Sequence, residues 1–85
     1  MKQLSKGCIA ILRKLLNQRR VGGRHLPEPL ALRPLKNLSK EDYRNALNDW
    51  EWCIKEGLVY TKPTHSGRHI SLNHRRLPEI YNFVG

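Results

Sequence analysis

Read as hydrophobic and polar positions, the chain opens on a helical period. At about 100° per residue, Leu4, Cys8, Ile11, Leu12 and Leu15 share one face, and Ile9 and Leu16 widen the apolar arc to about 160°. Lys2, Lys6, Arg13 and Asn17 lie opposite. The spacing predicts a helix over Ser5–Gln18 that must be covered on more than one side, closed by Arg19-Arg20-Val21-Gly22-Gly23-Arg24. The glycine pair there supplies the conformations a helix exit needs. Pro27, Pro29 and Pro34 interrupt the next stretch. The first two suit the opening turn of a helix and the third cannot sit inside one, so a short helix is expected over Glu28–Arg33, burying Leu30 and Leu26.

The clearest element follows. Ser39-Lys40-Glu41-Asp42 fits a capping box, and Leu38 with Tyr43 fits the hydrophobic staple around it. Tyr43, Ala46, Leu47, Trp50 and Ile54 then fall within about 100° of one another as a core face, and Gly57 stops the helix, giving Lys40–Glu56. Beyond Gly57 the period becomes two. Leu58–Thr61 and Arg68–Leu72 read as strands around a six-residue polar tip, Lys62–Gly67. Asn73 is the N-cap of a last helical piece carrying Leu77, Ile80, Tyr81 and Val84.

Length and composition narrow the class. Eighty-five residues with 39% hydrophobic content make one core, so residues 1–85 are read as a single domain. Cys8 and Cys53 are too far apart for a metal knuckle and sit beside apolar residues, which suits small core fillers. The longest uncharged apolar stretch, Cys8–Leu12, falls far short of the roughly 18 residues of a membrane span. Arg13 and Lys14 break the apolar segment a secretory signal would need, so a cytoplasmic protein with no membrane partner is expected.

Charge adds the functional clue. The net charge is +9, and it is unevenly spread: +8 over residues 1–38, −2 over 39–56 and +3 over 57–85. Such a surplus points to a polyanion, most often nucleic acid.

The order of elements, with Lys55-Glu56-Gly57-Leu58-Val59 leading from the third helix straight into a strand, resembles the winged helix-turn-helix domain. Lys62-Pro63-Thr64 with Gly67, and Ser71-Leu72-Asn73 after it, look like the wing of small archaeal-type members. The resemblance covers essentially the whole chain. It implies an α+β, mostly helical fold: a winged helix-turn-helix with three helices, a β-hairpin wing and a C-terminal helix. It also implies double-stranded DNA as partner and transcriptional regulation as role. Members usually carry a first strand between helices one and two. Val21–Leu26 is a feeble candidate for it, so a bare hairpin is expected here.

On this reading the recognition helix offers Lys40, Arg44, Asn45 and Asn48, since Arg suits guanine and Asn suits adenine. The acids in the second half of that helix restrict groove entry to its N-terminal half. The wing would add Lys62, Thr64, His65 and Arg68, and a basic flank would add Lys6, Arg19, Arg20, Arg24, Arg33 and Lys36.

The second reading is a protein-interaction module, or an RNA-binding component, of a larger nucleoprotein assembly. Trp52, opposite the core face of its helix, either packs on Leu58 or under the C-terminal helix or, on this second reading, forms a partner surface, and a homodimer is a further option. No catalytic carboxylate pair, nucleophile elbow or phosphate-cradling glycine loop is present. His65, His69 and His74 lack the cysteines of a zinc site, so neither metal nor cofactor is expected.

Overall fold

Ser5 starts the first helix. Its backbone is extended and its hydroxyl accepts from the Cys8 amide, so α1 runs Lys6–Asn17 in the computed structural model, which describes residues 2–85. The exit is a Schellman motif, in which Arg19 N–H donates to the Leu16 carbonyl at 3.0 Å and Arg20 N–H to the Leu15 carbonyl at 2.9 Å. The left-handed residue this motif requires is Arg19, at φ 54°. The expected exit on Gly22 and Gly23 is therefore corrected. The helix has closed before either glycine, and Gly22, at φ 63°, serves the bend that follows.

After α1 come β1 (Leu26–Pro27), α2 (Glu28–Ala31) and a 3-10 turn over Arg33–Leu35, which together replace the single short helix expected there. The long helix α3 spans Lys40–Lys55. Ser39 caps it by accepting from the Asp42 amide at 3.1 Å. Its end repeats the Schellman motif with the usual residue: Gly57, at φ 79°, donates to Ile54 at 3.1 Å and Leu58 to Cys53 at 3.0 Å.

The strands β2 (Val59–Thr64) and β3 (Gly67–Leu72) pair antiparallel with Thr64 opposite Gly67, so only His65 and Ser66 remain as the tip. The expected six-residue tip is thus two residues long. Gly67 makes this possible with φ 127°, which spares His65 and Ser66 a left-handed backbone. Pro63 lies within β2, which it can do because β2 is an edge strand in the order β1-β3-β2.

The third strand also overturns the bare hairpin. Leu26 pairs with Ile70 and Pro27 with His69, and the α1 exit is stitched to the end of β3 by Leu72 N–H to Arg20 O at 2.7 Å, Gly22 N–H to Leu72 O at 3.0 Å and Ser71 Oγ to Gly22 O at 2.7 Å. A 3-10 turn over His74–Arg76, begun by Asn73 accepting from the Arg75 amide, leads into α4 (Leu77–Val84). The fold is α+β, mostly helical, around a three-stranded antiparallel sheet.

One core joins these layers: Cys8, Ile11, Leu12 and Leu15 of α1 meet Ala46, Trp50 and Cys53 of α3, with Ile70, Leu72 and Ile80 closing it. Against the expected core face, α3 is rolled by roughly 60°, taking 100° per residue, so that Ala46, Trp50 and Cys53 become its centre. Tyr43 is left 42% exposed, while Leu47 and Ile54 are only half-buried. The cause is a close approach of α1. A Cβ on Gly7 would stand 2.8 Å from Ala46 Cβ and 2.9 Å from Leu35 Cδ2, so only glycine lets the two helices meet there. Cys8 and Cys53 are unbridged, fully buried and 3.8 Å apart at sulfur, and their contact together with burial pushes the Cys8 thiol far up. Cys8 therefore stays a neutral core residue. Among the described residues no helix is long and apolar enough to cross a membrane.

Candidate nucleic-acid interface

The outer face of α3 carries Lys40, Arg44, Asn45 and Asn48, all exposed. Lys40, Tyr43, Arg44, Leu47 and Asn48 line a shallow open hollow there, which holds an aromatic ring that the period of the sequence places in the core. The roll of α3 explains why Tyr43 was missed as a surface group. At the same end of the helix, Gly7 packs against Leu35 and Leu38, so Lys6 and Lys36 come from touching segments that lead to Lys40. Arg33, on the same 3-10 turn, is exposed as well.

The second half of α3 proves less repulsive than its sequence. Asp49 accepts from the Ser5 amide at 2.7 Å and pairs with Lys2 at 3.2 Å. Burial pushes its carboxyl up, but the Ser5 and Lys2 contacts outweigh this and hold it below the ordinary carboxylate range. Glu51 pairs with Arg68 at 2.7 Å.

Arg68 belongs to a larger network. Glu28, at the start of α2, accepts from Trp50 Nε1 at 2.8 Å and from Arg68 Nε and Nη2 at 3.0 and 2.8 Å. Trp50 is fully buried, and its indole N–H needs such an acceptor. Burial raises the Glu28 carboxyl, yet Arg68 and Trp50 more than offset it and leave it depressed, while Glu28 above all holds the Arg68 guanidinium charged. Arg68, one of the hairpin residues singled out in the sequence, thus joins β3 to α2 and α3 through these ion pairs. Thr64 is likewise engaged, donating its hydroxyl to Gly67 O at 2.6 Å. The outward charge of the β2–β3 hairpin is Lys62, with His65 exposed at the tip.

Trp52 packs under the C-terminal helix, the first of the two roles its sequence position allows. The roll of α3 brings its ring to the edge of the core, where Phe83 meets it edge-on at 5.8 Å and Lys2 Nζ lies 5.2 Å from its centre. The ring is half-buried within the chain.

At the other end of α1, Arg19 and Arg24 are exposed and Arg20 is half-buried. Lys62 of β2, His69 of β3 and Arg20 all act electrostatically on His25, which places the α1 exit and the β2–β3 hairpin around one polar cleft. His25 and His69 are hydrogen-bonded through their Nδ1 atoms at 2.8 Å. This pairing joins residues 44 positions apart and has no local signature in the sequence.

Charge bookkeeping defines the surface. Of sixteen basic residues, Lys2, Arg68 and Arg76 form ion pairs, and of seven acids, Glu28, Asp49, Glu51 and Glu79 do. Thirteen bases thus face three acids without an ionic partner among the described residues. Comparison of the chain with protein-family models, with curated proteins and with solved structures finds no match.

Proposed function

We propose that the chain is a winged helix-turn-helix protein that binds double-stranded DNA and acts in transcriptional regulation. On this reading the N-terminal half of α3 enters the major groove while Lys62 and the α1 exit hold phosphates. The observation that carries the reading is the sorting of charge. The fold spends four acids on ion pairs with Arg68, Lys2 and Arg76, and among the described residues leaves Lys6, Arg19, Arg20, Arg24, Arg33, Lys36, Lys40, Arg44 and Lys62 without ionic partners. A small sheet closed by β1 and a capped α3 reaching directly into β2 support the same assignment.

The test is equilibrium binding of a fluorescent duplex over a salt series. The logarithm of affinity should fall linearly with the logarithm of salt, with a slope of several phosphates. Lys62→Ala should lower that slope by about one, whereas Arg44→Ala should cost about 1–3 kcal/mol on a preferred sequence and relax its choice. Absence of binding at low salt would sink the proposal. Competition by duplex RNA that matched duplex DNA would shift it to the RNA-binding alternative.

The protein-interaction reading draws on a different place, an open hollow of about 600 Å³ between the N-terminal segment, Ile9 and Phe83 of α4. Binding of a partner that Phe83→Ala abolishes and Arg44→Ala leaves intact would favour it.

A further inference from the structure

We propose that the cleft between the α1 exit and the wing is a proton-gated phosphate site built on the His25–His69 pair. The proposal deepens the DNA-binding reading by making one phosphate contact depend on pH, and it takes the source of the phosphate from that reading.

The argument starts from the hydrogen bond. Two imidazoles joined Nδ1 to Nδ1 at 2.8 Å, with ring centres 4.9 Å apart, require one ring to donate and the other to accept. In the neutral pair the donor ring has a bare Nε2 and the acceptor ring an Nε2–H. One proton from solvent adds to the bare Nε2. The Nδ1–H···Nδ1 bond survives, both Nε2 atoms become donors, and the pair carries one positive charge. A mixed donor–acceptor surface becomes an all-donor cationic one, which is what a phosphate oxygen requires.

The surroundings set the sign. Around the pair stand Lys62 from β2 and Arg20 from the α1 exit, with His74 reaching toward Gly22 from the turn before α4. Tyr60, also lining the cleft, turns its hydroxyl to Asn73 Oδ1 at 2.6 Å. Every charge that acts on His25 is positive, and together with burial these charges hold its imidazole below the ordinary histidine range. The same field repels a metal cation and attracts an anion. His25 is therefore held unprotonated at rest, and a bound phosphate, by offsetting Lys62 and Arg20, raises the proton affinity of the site. Binding takes up a proton, and affinity rises as pH falls.

The test pairs two readouts on the full chain. Affinity for a labelled duplex at fixed salt should tighten about tenfold from about pH 8 to about pH 5, the worth of one unit of pKa shift. His69→Gln, and separately His25→Gln, should flatten that dependence. Histidine ring resonances of the wild-type chain, titrated with inorganic phosphate against chloride of equal ionic strength, should report a raised pKa for His25 or His69.

If the duplex fails to bind but phosphate still raises those pKa values, the site stands with free phosphate as its source and the DNA-binding reading falls. Unmoved histidine pKa values with both phosphate and duplex overturn the proposal. So does a pH dependence that both substitutions leave intact. Because the ring titration uses the wild-type chain, a variant that does not fold still leaves a decision.

Discussion

Arg19 is a basic residue at the left-handed position of the α1 exit, where the backbone favours glycine. A non-glycine side chain in the left-handed region costs roughly 1–2 kcal/mol, and α3 solves the same problem with Gly57. Strain retained where a cheaper residue exists points to use of the side chain. Arg19→Gly should therefore raise the unfolding free energy by about 1 kcal/mol, measured by urea denaturation, and weaken duplex binding in the same preparation. If it stabilises without any change in binding, Arg19 is no part of the interface. The residue scale is also where the sequence is least legible. Nothing local distinguishes Arg19 from Gly22 as the exit residue, because the choice follows from where the Leu15 and Leu16 carbonyls find their donors.

At the scale of elements, the contact of α1 with α3 rests on a missing methyl group. Gly7→Ala would add helix propensity worth up to about 1 kcal/mol, but its Cβ would collide with Ala46 Cβ, which is fixed to the backbone of α3. Overpacking of this kind costs about 1–3 kcal/mol, so a lower midpoint of thermal unfolding is expected, and a raised one would show that the helices can separate freely. The helices themselves were legible because their signals are local: Ser39 and Gly57 bound α3 where the sequence predicts, and the 3.6-residue period marks α1. The roll of α3 was not, since Tyr43 and Cys53 are equally eligible until a partner helix is in place. Strand β1 was illegible for a similar reason. Its two residues become a strand only by pairing with Ile70 and His69.

For the whole molecule, acid is the revealing stress. Glu28 and Asp49 both titrate below their ordinary range in the fold. A depressed carboxyl contributes stability that is present above its unfolded pKa and is lost as pH falls through the folded one. The chain should therefore hold its melting temperature down to about pH 5 and lose it progressively below about pH 4. Glu28→Gln should lower stability at neutral pH by freeing Arg68, and should shrink the loss on acidification. An acid-induced loss unchanged by that substitution would mean that other groups govern it. Of the candidate site, the surplus of cations and the exposed face of Lys40, Arg44, Asn45 and Asn48 were legible in composition and spacing. The carboxylate partners of Arg68 were not, because they are fixed by tertiary contacts.

The edge position of Pro63 has a consequence at high concentration. An open strand edge invites the corresponding strand of a second molecule, and a row of such pairings grows into aggregates. In β2 one ladder donor is removed by Pro63, and the residue before it, Lys62, sets like charges against each other in any such row. Lys62 and the proline beside it thus keep this border from propagating, and the β2–β3 hairpin can remain exposed without becoming a seed for aggregation.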